Sequence, residues 1–147
     1  MPYQGSCHCG ALTYRYETEL APATWSIRAC QCSFCRAHGA RSTSDPQGTV
    51  TFQVGQPDRL RRYRFGYGVT EFLICARCGV YIGALAEISG SLFAIINTNA
   101  LLTPPAGLKD ALPVSYEGES AARRAERRRD RWTPCAGVTA SWTSPRN

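Results

Sequence analysis

VTEFLICARCGVYIGAL, residues 69–85, reads as two β-strands joined by a metal-binding turn. Apolar, β-branched and aromatic residues flank Cys75-Ala76-Arg77-Cys78-Gly79 on both sides, a composition that favours strand. A C-x-x-C-G turn reverses the chain so that both sulfurs converge on one ion. The glycine after the second cysteine takes up the positive φ that the reversal needs. Such a hairpin supplies only half of a tetrahedral site.

The other half is found in GSCHCG, residues 5–10. In an extended segment Cys7 and Cys9 project to the same face, so both sulfurs can reach one ion at Zn–S distances of about 2.3 Å. The economical arrangement is a closed zinc site of Cys7, Cys9, Cys75 and Cys78, tying the N-terminal segment to a hairpin far along the chain. Unpaired core thiols or a redox dithiol are the competing readings. His8, between two ligands, is expected to face the other way.

A third cysteine group lies in ACQCSFCRAHG, residues 29–39. With residues 30–32 extended and a helical turn starting after Cys32, capped by Ser33, the sulfurs of Cys30, Cys32 and Cys35 face one point. Three ligands leave a coordination position unfilled. Structural zinc is closed, whereas catalytic zinc keeps a position for water or substrate. The fourth position is thus open to chemistry, or is taken by His38, an acid or a partner chain. His38, three residues past Cys35, is a candidate base, ligand or hydrogen-bond donor. Cys135 has no cysteine near it in sequence and reads as an exposed or partly covered thiol in a polar tail.

Composition fits these readings. At 147 residues the chain suits one domain, 1–147, able to bury roughly 70% of the surface its unfolded form exposes. Thirteen Gly and nine Pro beside five Phe, three Trp and one Met imply a modest core and many turns. The N-terminal MPYQGSCHCG lacks a charged leader and an apolar run, and no stretch approaches the roughly 20 apolar residues of a membrane span. The expectation is a cytoplasmic chain away from membranes, where eight cysteines serve metal rather than disulfides.

Alternating apolar residues mark strands in ALTYRYET and TVTFQV. ATWSIRA, RLRRYRF, VTEFLIC, VYIGAL and SLFAIIN complete seven or so, giving a mainly β fold. EGESAARRAERRRDRW is the clearest helix, with Ser120 as N-cap and Pro134 beyond its end. Almost devoid of an apolar stripe, residues 119–132 are expected to form a solvated surface helix, followed by the tail 133–147. RRAERRRDR, residues 123–131, concentrates six arginines against two acids and accounts for much of the net charge of +6.

The three motifs in this order, with IINTNAL after them, resemble the glutathione-dependent formaldehyde-activating enzyme family, also described as centromere-protein-V-like, over about residues 3–102. The resemblance implies a small Mss4-like fold of short curled sheets held by zinc. It implies two zinc ions per chain, with Cys7, Cys9, Cys75 and Cys78 as structural ligands and Cys30, Cys32 and Cys35 as catalytic ones. The activity it implies is a carbon–sulfur lyase joining glutathione and formaldehyde as S-(hydroxymethyl)glutathione. Its partners would be a small thiol and an aldehyde. Val80 and the region beyond Leu108 depart from the family pattern. Arg28, Arg36 and Arg41 are near enough in sequence to the trio to meet a glutathione carboxylate.

Two other functions compete with the lyase. One is a zinc-stabilised binding module whose arginine segment contacts nucleic acid or an acidic protein. Glu126 and Asp130 interrupt that segment and no aromatic platform adjoins it, so nucleic acid is the weaker expectation. The other is a redox or metal-sensing thiol centre.

Overall fold

The computed structural model describes residues 2–140. Its architecture is mainly β, a mixed sheet that curls around two apolar clusters, with two α-helices. In chain order the strands are β1 (Pro2–Ser6), β2 (Leu12–Glu17), β3 (Arg28–Cys30), β4 (Ser42–Thr43), β5 (Thr49–Val54), β6 (Leu60–Tyr63), β7 (Thr70–Cys75), β8 (Tyr81–Ile88), β9 (Ser91–Asn97), β10 (Leu112–Val114) and β11 (Thr133–Ala140). The helices are α1 (Ser33–His38) and α2 (Ala121–Arg131).

The alternating stretches form strands as expected. β2 buries Leu12, Tyr14 and Tyr16, and β5 buries Val50, Phe52 and Val54, all on one face. β8 follows another rule. Seven of its eight residues are buried, because its two faces serve different cores. Ile82 and Leu85 pack with β2 and β5 in the first core, while Tyr81, Ala84, Ala86 and Ile88 pack with Cys35, Phe72 and Trp132 in the second. Cys7 and Cys75 belong to the first core.

Four strands go beyond the sequence expectation: β1, β4, β10 and β11. ATWSIRA yields only the three-residue β3, because a 3-10 turn at Pro22–Thr24 occupies its start. The expected polar tail needs the largest correction. Its first eight residues are β11, parallel to β5 through Val138↔Phe52 and antiparallel to β9 through Thr133↔Ala94. Cys135 is accordingly half-buried against the first core, with burial pushing its thiol pKa up. Residues 141–147 of the expected tail lie outside the described residues.

α2 starts where expected, the Ser120 hydroxyl accepting from the Arg123 amide at 3.1 Å. It is not simply a solvated helix. Ala125 packs on the second core, and Arg124, Arg127 and Arg128 are half-buried on the inward side. Among the described residues no helix is long and apolar enough to cross a membrane.

Because β11 fills the gap between β5 and β9, a chain ending at Arg131 leaves both without that neighbour and exposes apolar surface. It should unfold at a clearly lower denaturant midpoint and with a weakened near-UV circular dichroism spectrum. An unchanged midpoint would mean that β11 adds nothing to stability.

Candidate functional site

The β7–β8 hairpin turns at Cys75–Gly79 through a hydrogen bond from the Gly79 amide to the Cys75 carbonyl at 2.9 Å, with Gly79 at φ 80°. The Cys78 amide points at the Cys75 sulfur, 3.4 Å away. Cys7 and Cys9 arrive from the β1–β2 connection. That connection is a turn rather than the expected extended pair, closed by the Gly10 amide on the Cys7 carbonyl at 3.2 Å. The sulfurs converge nonetheless: Cys7 to Cys9 is 3.8 Å and Cys9 to Cys75 is 3.6 Å. Burial pushes the Cys7 thiol up to about 12. Burial opposes ionisation at Cys78 as well, but the amides of Val80 and Cys9 prevail and bring it down to about 6. His8 is exposed.

The second set is Cys30 at the end of β3, with Cys32 and Cys35 around the start of α1. Here the N-cap is Cys32 and not Ser33: the Cys32 sulfur accepts from the Cys35 amide at 3.4 Å. Gly39 ends the helix in the left-handed region, φ 58°, and turns the chain back toward β4. Hydrogen bonding with Cys35 lowers the Cys30 thiol to about 5, and the positive charge of Arg127 contributes. The same bond, with burial, pushes Cys35 up.

Each set brings its sulfurs within 4.8 Å of one another, close enough to hold one metal ion. Among the described residues neither set includes a histidine or an acid. All-sulfur donor sets select zinc or other thiophilic metals over magnesium or calcium. Both sets therefore fit zinc, the first with four donors and the second with three.

His38 is not brought to the trio. It is exposed, and its ring lies 4.6 Å from that of Phe34, its i−4 neighbour on the same side of α1. Phe34 in turn packs against Phe72 and Phe65, at 4.5 and 5.5 Å.

All three trio residues line a cavity of about 410 Å³. Phe65, Phe72, Ile95 and Trp132 give it apolar surface, while Arg28, Arg124, Arg127 and Arg128 give it positive charge. Three of the four arginines come from α2, which the sequence had suggested was solvated. Glu119 fixes two of them, accepting from Arg127 at 2.9 and 3.0 Å and from Arg124 at 3.0 Å. The Arg127 guanidinium also lies 3.5 Å from the centre of the Tyr116 ring, and Arg124 lies 5.0 Å from that of Tyr67. β10 fastens this region to the trio by pairing in parallel with β3, Val114 opposite Cys30. Of the arginines flagged near the trio in sequence, only Arg28 lines the cavity; Arg41 bonds Asn99 outside it.

Residues 2–111 match the sequence profile of the glutathione-dependent formaldehyde-activating enzymes. The chain belongs to this family. The match spans every residue of both cysteine sets and ends before β10, α2 and β11. A crystal structure of a protein from Rhodobacter sphaeroides is similar, with a TM-score of 0.59 and 26% identity over 76% of this chain and 99% of that one. None of the curated proteins compared with the chain matches it.

Arg127 and Arg124 hold the Glu119 carboxyl below the usual carboxylate range. Its contribution to stability is therefore present above the ordinary carboxylate pKa and is lost as pH falls through the lowered value. Glu119→Gln should cost about 1–3 kcal/mol near neutral pH, and the gap from the parent should close on acidification. A gap independent of pH in urea titrations would show that Glu119 does not act through its charge.

Proposed function

We propose that this family member is a zinc-dependent carbon–sulfur lyase that reversibly joins a thiol to a small aldehyde, with glutathione and formaldehyde as first candidates. The observation that carries the reading is the difference between the two cysteine sets. Four sulfurs make a complete tetrahedral donor set, whereas the trio offers three, from residues that line a cavity, and leaves one position for a ligand. Cys7, Cys9, Cys75 and Cys78 then hold a structural ion, and Cys30, Cys32 and Cys35 a catalytic one. Family membership and the all-sulfur donor sets support this assignment.

Zinc held by the trio supplies a Lewis acid that favours the thiolate form of a ligand sulfur and can polarise a carbonyl. The protein's own part is positioning. A cavity of this volume falls in the range of small-molecule sites, about 300–1,000 Å³. Phe65, Phe72 and Trp132 give the cavity an apolar wall, and Arg127 adds positive potential beside Cys30. In the forward direction the thiol sulfur attacks the aldehyde carbon. A sulfur–carbon bond forms, the carbonyl π bond opens, and the thiol proton ends on the new hydroxyl oxygen. No electron donor or acceptor is needed. His38 has no role in this scheme, and solvent entering the cavity takes up or returns the proton.

Exchange among glutathione, formaldehyde and their adduct, followed by NMR with a no-protein control, tests the activity. Cys32→Ser should lose one of two bound metals and all enzyme-dependent exchange while keeping its circular dichroism spectrum. Cys75→Ser should fail to fold, since structural zinc binding contributes about 10–16 kcal/mol of apparent free energy against a typical stability of about 5–15 kcal/mol. Full exchange activity in Cys32→Ser would remove the trio from the chemistry.

A further inference from the structure

Arg124 and Arg127 have their partner in Glu119, whereas among the described residues the other two guanidiniums on the cavity surface form no ion pair, and Glu119 reaches Arg128 only through its longer-range charge. Among the described residues Arg128 forms no ion pair, and its Nε is buried without a hydrogen-bond partner. Its guanidinium lies 4.9 Å from the centre of the ring of Trp132, itself 5% exposed, so the group is held against a rigid surface. Arg28 donates to the Ser44 hydroxyl at 2.8 Å and to the Ser26 carbonyl at 3.5 Å. These neutral acceptors hold it in place and leave its charge uncompensated. The single acid among the described lining residues is Glu117, which is exposed.

We propose that Arg128, with Arg28, forms an oxyanion-binding site in this cavity, and that the thiol substrate carries a carboxylate or sulfonate that docks there. A desolvated cation without a partner is costly, and a planar guanidinium meets an oxyanion through paired hydrogen bonds. Burial and the nearby Arg127 and Arg124 bring the Arg128 pKa down to about 10, which leaves it charged at neutral pH. Glu119 and, more weakly, the Cys30 thiolate are the anions whose charge Arg128 feels. A divalent cation among the three thiolates leaves one net negative charge, so the pull on the guanidinium is weakened and a ligand oxyanion can compete for it. α2 lies beyond the stretch that matches the family profile, so Arg128 acts as a specificity determinant of this chain. The role of the ligand's sulfur rests on the lyase reading; the oxyanion site does not.

Calorimetry on the full, zinc-loaded chain separates the two, using S-methylglutathione, which has both carboxylates of glutathione and no free thiol. The expected result is binding that weakens at least tenfold for the neutral diester. Arg128→Gln should raise Kd about ten- to a hundredfold, with Arg128→Lys in between. Arg129→Gln, on the exposed side of α2, should match the parent. Binding of 2-(methylthio)ethanesulfonate with the same dependence on Arg128, and none of S-methylglutathione, would support the site and identify a sulfonate thiol as its ligand. Equal affinity for S-methylglutathione and its diester, with no binding of the sulfonate, overturns the proposal without needing any variant. Equal affinity of Arg128→Gln and parent overturns it as well. Arg128-dependent binding in a protein that catalyses no exchange would keep the anion site and dismiss the lyase.

Discussion

Thiols packed within 4.8 Å of one another set the terms for the rest of this structure. Two unit charges about 4 Å apart repel by about 1 kcal/mol in water and about 4 kcal/mol at the effective dielectric near a protein surface. Three or four thiolates so arranged need a cation between them or must share protons. The opposed behaviour of Cys30 and Cys35, one thiol driven down and the other up by a single hydrogen bond, is the proton-sharing answer. A divalent metal is the other. The backbone is arranged for that second answer: two turns meet at one set, and a strand end with a helix start builds the other.

The sequence made the sulfurs legible because their chemistry is local. Cys75 and Cys78 lie on one turn, Cys7 and Cys9 on another, and the trio spans six residues, so spacing alone implied convergence. β2 and β5 were legible for the same reason, their two-residue alternation recording a single buried face. β8 carries no such alternation, since both faces are buried, and only its composition marked it as strand. The misread elements depend on distant partners. β10 includes Pro113 and is held by parallel pairing with β3; β11 includes Pro134 and Gly137 and is held by β5 and β9. No local pattern announces such pairing. His38, which the i+3 spacing from Cys35 placed near the trio, lies outside the sulfur cluster with its ring beside those of Phe34 and Tyr81.

The arginine-rich segment shows how far charge counting can mislead. Six arginines among nine residues look like a face for phosphates or solvent. Three of them, Arg124, Arg127 and Arg128, turn inward to the cavity above the trio. Their long aliphatic stems serve as packing while the guanidiniums find aromatic rings and Glu119. An element outside the family-matching region thereby supplies three of the four arginines that line the cavity over cysteines within it.

The last strand among the described residues occupies an interior position in the sheet, with β5 on one side and β9 on the other. On the ribosome, these two must wait for β11, just as Cys7 and Cys9 wait for Cys75 and Cys78. Contacts of such sequence separation are closed late and slowly, and the nascent chain carries bare strand edges and reduced thiols in the meantime. The sheet therefore closes only after β11 has emerged, and until then its thiols stand open to metal and to oxidation alike.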